Sequence, residues 1–297
     1  MFKRGVDEDA LQVRLWVMVR GENLDAETLK ARRLIGYGNH MLTVRAIKLA
    51  IDGALGPRGA WLLEPYSDEP ASSGHNTGDL VEIEATANLA IENGYQLCVH
   101  AIGDRGNREV LDIYERTFKA HPEKAPGARF RIEHAQHIHP DDVPRFGELG
   151  VIPAMQAVHC TSDAPWVTPR LGVERAGNGA YVWQDLMRSG AVITNGTDAP
   201  VERVDPIASF YSSVTRKPTT GEAFYPEQAM SRTEALRSYT LNNAFAAYED
   251  HVKGSITVGK LADITILDQD IMTIPSEQIK DAKVLYTIIG GRVLYQR

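Results

Sequence analysis

Short apolar runs recur along this chain at residues 13–19, 44–48, 97–100, 130–134, 151–156 and 191–198, each bounded by polar or glycine-containing segments. They are short and β-prone, which predicts strands. Between them, residues 82–93 and 107–119 have helical periodicity and end near Gly or Pro, as helices commonly do. Strand and helix in repeated alternation predict parallel βαβ units, and a (β/α) barrel is the leading architecture. Downstream, residues 231–248 carry several Ala with Leu, Glu and Arg and read as the last barrel helix. Residues 262–267 and 284–294 read as strands, the second bent at Gly290-Gly291 into a hairpin.

The polar residues that close four of these runs carry the chemistry. Lys48, His100, His134 and Asp198 each stand at or just past the C-terminal end of a separate predicted strand, the end from which barrel enzymes draw their catalytic groups. Two imidazoles and a carboxylate are suitable ligands for Zn, Mn or Fe, and a lysine joins such a set if carbon dioxide converts its amine to a carbamate. That lysine must first be uncharged, which burial favours. The spacing of two from Cys98 to His100 and from Ile132 to His134 keeps each pair on one strand face. Singly, each residue has an ordinary role: a hydrogen-bonded histidine, an ion-paired lysine, an aspartate at a turn or helix cap in Gly196-Thr197-Asp198-Ala199-Pro200. Their shared placement favours one metal site.

Composition narrows the classes. A chain of 297 residues with 43% hydrophobic content can bury a substantial core. Its net charge of −7 and lack of a Lys/Arg-rich block argue against a nucleic-acid surface. Cys98 and Cys160 are too few for a disulfide framework, so reduced thiols and a cytoplasmic setting are expected. No stretch approaches the roughly 18 apolar residues of a membrane span, and the N-terminus has no apolar signal core. Residues 254–260 match the Gly-x-x-x-x-Gly-Lys part of a phosphate loop, but Leu261 stands where Ser or Thr is required and a strand follows, which excludes nucleotide binding.

Four segments, Asp52-Gly53-Ala54-Leu55-Gly56-Pro57-Arg58, Val99-His100-Ala101-Ile102-Gly103-Asp104, Arg131-Ile132-Glu133-His134-Ala135-Gln136 and Gly196-Thr197-Asp198-Ala199-Pro200-Val201, resemble motifs of the amidohydrolase superfamily, in its YtcJ-like amidohydrolase 3 branch. The tail from Gly254 to Asp268 is similar to the segment that leads such enzymes into a small β-sandwich. The resemblance implies an α/β fold: an incomplete (β/α)8 TIM barrel, about strands 3 to 8, over residues 1–252, and the C-terminal strands of the sandwich over 253–297. It implies a divalent metal, zinc first with manganese or iron as alternatives, held by His100, His134, Asp198 and a carboxylated Lys48. The reaction implied is hydrolysis of a carbon–nitrogen bond in a small amide or N-acyl compound, with Asp198 moving the proton.

One departure stands out. Family members carry His-x-His on the first barrel strand as metal ligands, whereas nothing upstream of Lys48 supplies it here, and the sole such motif, His137-Ile138-His139, lies in a loop after His134. The chain is therefore expected to start near the third strand, leaving open sheet edges that a homodimer would cover. In the loops beyond the strands, Arg58, Trp61, His159, Asp163 and Arg216 are read as facing the pocket. An arginine there either clamps a substrate carboxylate or forms a surface ion pair. Asp104 and Asp163 either orient imidazoles or cap helices. Two other readings stay open: a silent structural subunit, and a Schiff-base lyase using Lys48.

Overall fold

The computed structural model describes residues 1–20, 24–219 and 221–297. Ten strands are present among them: β1 (Leu15–Val19), β2 (Leu34–Gly36), β3 (Leu42–Ala50), β4 (Gln96–Ala101), β5 (Arg131–His134), β6 (Ile152–Met155), β7 (Thr194–Asn195), β8 (Ile264–Leu267), β9 (Val284–Ile289) and β10 (Arg292–Gln296). The main sheet runs β1-β3-β4-β5-β6-β7 with parallel neighbours, and β2 adds an antiparallel pairing to β3. This is the curled, mostly parallel sheet of an incomplete barrel, and each of the six predicted runs supplies one of its strands. The crossovers are helical, as parallel pairing requires. Leu80–Glu92 links β3 to β4 and is capped by Asp79, whose side chain accepts from the Val81 N–H. Asp104–Ala120 links β4 to β5.

The core forms where alternate strand residues meet these helices. Leu97, Val99, Phe130 and Ile132 are fully buried, each contributing roughly 1.5–3 kcal/mol by leaving water. Tyr114 and Phe118 of the second crossover helix stack on Phe130 at 5.0 and 5.3 Å between ring centroids. Register then fixes the height of each polar group. Lys48 is opposite Cys98 and Ala101 opposite His134, so Lys48 lies deeper in the barrel than His100.

Two expectations change in detail. Of the run at 191–198, only Thr194–Asn195 pairs as strand. Beyond it, Asn195 Oδ1 accepts from the Ala157 and Gly196 N–H groups, and the chain turns so that Asp198 sits at φ 56°. The predicted helix over 231–248 is two helices, Arg232–Tyr239 and Leu241–Ala246, broken at Thr240 with φ −120° and ψ −85°. The tail forms an antiparallel sheet in the order β10-β9-β8, with Gly290 and Gly291 both at positive φ in the hairpin. Arg14, just before β1, ties this small sheet to the barrel through a two-pronged pair with Asp263 at 2.6 and 3.0 Å. Among the described residues no helix is long and apolar enough to cross a membrane.

Candidate metal centre

His100 comes from β4 and His134 ends β5, their rings meeting edge to face at 4.5 Å. His134 has φ 74° and Ala135 φ 44°, so the backbone kinks as it leaves the strand. The Gln156 side-chain oxygen, assigned as acceptor, lies 2.7 Å from His134 Nδ1. With the proton on Nδ1, the Nε2 lone pair is left free. His100 Nε2 is buried without a hydrogen-bond partner, 3.5 Å from Asp52 Oδ1.

The helix Ala157–Leu171 starts directly beyond β6 and places His159 in its first turn. His159 Nε2 is 3.3 Å from Asp198 Oδ2, and its Nδ1 is 3.5 Å from Glu202 Oε1. Donor atoms of His134, His159 and Asp198 all lie within 4.8 Å of one another. Lys48, on β3, donates to the carbonyl of the adjacent Leu49 at 3.0 Å.

Burial sets the charge states. It pushes His100 down to about 3, helped by the nearby His134 and Lys48, and it lowers His134 as well, so both rings are neutral near pH 7. Lys48 is held below the usual lysine value by burial, against the pull of Glu133. The His159 hydrogen bond keeps Asp198 below the ordinary carboxylate range, so it is ionised. For His159 burial opposes the charged form, but Asp198, Asp163 and Glu202 outweigh it and raise the pKa. Two neutral imidazoles with uncommitted nitrogens beside a carboxylate suit a divalent cation.

Of the residues singled out from the sequence, His134 lies beside both His100 and Asp198. His159, read as a substrate contact, joins this cluster instead. Asp163, one helical turn on, accepts from the Tyr181 hydroxyl at 2.8 Å. Trp61 is half-buried, with the Arg105 guanidinium 4.8 Å from its ring. Arg58 pairs with Asp68 at 3.1 Å on the surface. The expectation that Arg216 faces the pocket meets a different placement: it is fully buried, donates to the Phe224 and Tyr181 carbonyls at 2.6 and 2.9 Å, and stacks over Trp183. Its position after the predicted eighth strand gave no sign that the neighbouring loop folds back over it.

His137 is buried against Tyr181 and His139 is partly exposed beside Asp141, outside the converging donors. Asp104 accepts from the Leu63 and Arg105 N–H groups and so ties a loop to a helix start. Sequence reasoning missed the roles of Asp52 and Gln156. Asp52 is buried and accepts from the backbone of Trp61, Ile102 and Gly103 at 2.8–3.0 Å, a role signalled only by the Asp-Gly segment that contains it. Burial pushes its pKa up to about 6 against those three donors.

A family model described as "Amidohydrolase family" matches residues 1–295. The chain belongs to the amidohydrolase family. Amidohydrolase relatives of known sequence include the YtcJ protein of Bacillus subtilis (strain 168), 33% identical over 255 residues, covering 85% of this chain and 47% of that protein. Protein LONG AFTER FAR-RED 3 of Arabidopsis thaliana is 37% identical over 255 residues, covering 86% of this chain and 43% of that one. Among solved structures, an uncharacterized metal-dependent hydrolase from Pyrococcus horikoshii OT3 superposes with a TM-score of 0.80 at 30% identity, over 93% of this chain and 55% of that chain. This amidohydrolase chain therefore spans about half the length of the relatives it matches.

Proposed function

We propose that this chain carries the site of a metal-dependent hydrolase that cleaves a carbon–nitrogen bond in a small, non-peptide amide or N-acyl substrate. The observation that carries the reading is the convergence of His134 and Asp198, with His100 against His134, beyond the ends of separate strands. Family membership supports it. So does a relative from Arthrobacter pascens named N-substituted formamide deformylase, 25% identical over 216 residues and matched over 39% of its length.

When bound, a divalent ion, zinc in the first instance, supplies Lewis-acid polarisation of a carbonyl and acidifies water. His100 and His134 would hold it through neutral ring nitrogens and Asp198 through a carboxylate oxygen, with a carboxylated Lys48 as a further ligand. Ionised Asp198 is suited to take a proton from water and pass it to the leaving nitrogen. Trp61 is half-buried and is retained as a substrate contact, whereas Arg58 and Arg216 already have protein partners. We also propose a two-fold dimer, the commonest symmetric assembly; a monodisperse monomer in light scattering would refute that part.

The test is elemental analysis after loading with zinc or manganese and bicarbonate and removal of free ions, followed by a screen of N-acyl and N-formyl compounds. About one or two equivalents, lost in His134→Ala together with hydrolysis, would support the reading. A folded sample that takes up no metal would sink it.

A further inference from the structure

We propose that Asn195 is a positioning residue that sets the spacing of two donor-bearing segments of the candidate metal centre, an inference that rests on the hydrolase reading above. Its side-chain oxygen accepts from two backbone N–H groups at 3.0 Å each: that of Ala157, two residues before His159, and that of Gly196, two residues before Asp198. His159 and Asp198, with His134, are the residues whose donor atoms converge. One buried oxygen thus joins the start of one segment to the start of the other.

Neither segment has a strong local anchor of its own. The helix Ala157–Leu171 has no side-chain cap at its start, and the first N–H groups of a helix lack partners within it. Asn195, 38 residues further along the chain, supplies one. On the other side, β7 pairs with β6 only through Ala154 with Thr194 and Met155 with Asn195, and Asp198 lies beyond it in a turn at positive φ. Asn195 is in turn held by partners of its own. It is buried, its Nδ2 donates to the Ser213 hydroxyl at 3.1 Å, and the Tyr239 hydroxyl lies 3.1 Å from its oxygen. Two N–H donors face the same atom of the amide, so that atom is the oxygen, and a flipped amide would set donor against donor. The backbone is fastened as well: the Asn195 N–H donates to Asn243 Oδ1 at 3.3 Å and its carbonyl accepts from Asn243 Nδ2 at 2.9 Å. A side-chain amide thereby occupies the outer edge of β7. An apolar side chain of similar size at 195 would leave the Ala157 N–H without its partner and cut the link between the two segments.

The experiment compares Asn195→Leu, Asn195→Asp and Thr43→Ala with the wild-type chain, each loaded with cobalt. Leucine is close to asparagine in size and has no acceptor, whereas aspartate keeps an oxygen for the two N–H groups. Thr43 controls for lost stability: it is buried near the start of β3, away from the strand ends that carry the donors, and its hydroxyl donates to Glu249 at 2.6 Å. Cobalt affinity is read by chelator competition, ligand arrangement by the visible spectrum of the bound ion, and the two segments directly by amide hydrogen exchange over residues 156–160 and 194–200. Asn195→Leu is expected to bind cobalt about 10–100-fold more weakly, with an altered spectrum and faster exchange in both segments. Asn195→Asp should recover most of the affinity, and Thr43→Ala should keep it at a lowered melting temperature. For a substrate found in the screen, kcat of Asn195→Leu falls with KM little changed. Should Asn195→Leu fail to fold, Asn195→Ser, too short to reach both N–H groups, takes its place under the same criteria. Wild-type affinity or wild-type exchange in Asn195→Leu, no recovery in Asn195→Asp, or an equal loss of affinity in Thr43→Ala would overturn the proposal. A wild-type chain that takes up no cobalt would instead overturn the underlying hydrolase reading, and this proposal with it; the two failures appear in different samples.

Discussion

Gly103→Ala is expected to destabilise the whole β4 end of the site, although the residue touches no candidate ligand. Its φ is −73°, which any residue adopts, so the constraint is space and not backbone conformation. A Cβ built there would lie 2.0 Å from the Trp61 carbonyl oxygen and 2.5 Å from its carbon, where contacts under 3.0 Å essentially never occur. The two backbones must therefore part by about 1 Å. They are not free to do so. The Trp61 and Gly103 N–H groups both donate to Asp52 Oδ2, at 3.0 and 2.8 Å, and the Trp61 carbonyl accepts from Arg105 and Gly106 at 3.1 and 3.2 Å. Overpacking costs roughly 1–3 kcal/mol, and weakening the two bonds to the Trp61 carbonyl adds about 1 kcal/mol each. The sum is roughly 3–5 kcal/mol, or about 1–1.7 M in urea midpoint for a slope near 3 kcal/mol/M. The assay is urea unfolding followed by tryptophan fluorescence, with Gly127→Ala as control, since a Cβ there meets nothing within 4 Å. Equal midpoints for the two variants would refute the reasoning.

Other consequences can be checked with the same preparations. Gln156→Ala should weaken metal affinity about 10–100-fold through the lost support of His134 Nδ1, measured by chelator competition; an unchanged affinity would mean that bond is incidental. Arg216→Ala should cost about 3–5 kcal/mol, because two hydrogen bonds from a buried cation to the Tyr181 and Phe224 carbonyls disappear, while Arg58→Ala leaves the urea midpoint in place. The reverse order would restore Arg216 to the pocket. Asp263 is pulled below its ordinary 3.8 by the Arg14 and Gly290 donors, which outweigh its burial. A depressed folded-state value stabilises above 3.8 and is lost as pH falls through the lower folded value. The wild-type chain should therefore lose thermal stability more steeply on acidification below that point than Asp263→Asn does, and parallel melting curves would contradict this.

Much of the fold was legible in the chain because it rests on local rules. Short, β-prone apolar runs bounded by polar or glycine-containing segments located all six barrel strands, and the glycine pair at 290–291 marked its hairpin, since both follow from local backbone preference. Strand-end placement likewise singled out His134, which lies beside His100 and Asp198 in the fold. Tertiary structure decided the rest. Whether His159 meets Asp198 depends on the direction in which the Ala157–Leu171 helix leaves β6, and whether Arg216 faces solvent or Trp183 depends on a loop folding back from Phe224. Helix 231–248 looked continuous because propensity favours it, yet Thr240 breaks it. Gly103 could be read in sequence only as part of a motif; the need for a glycine comes from the Trp61 carbonyl, 42 residues earlier in the chain. Sequence patterns report what each segment prefers in water and against a core. The chemistry of the site depends on which distant segments arrive beside it, and only three-dimensional packing determines that.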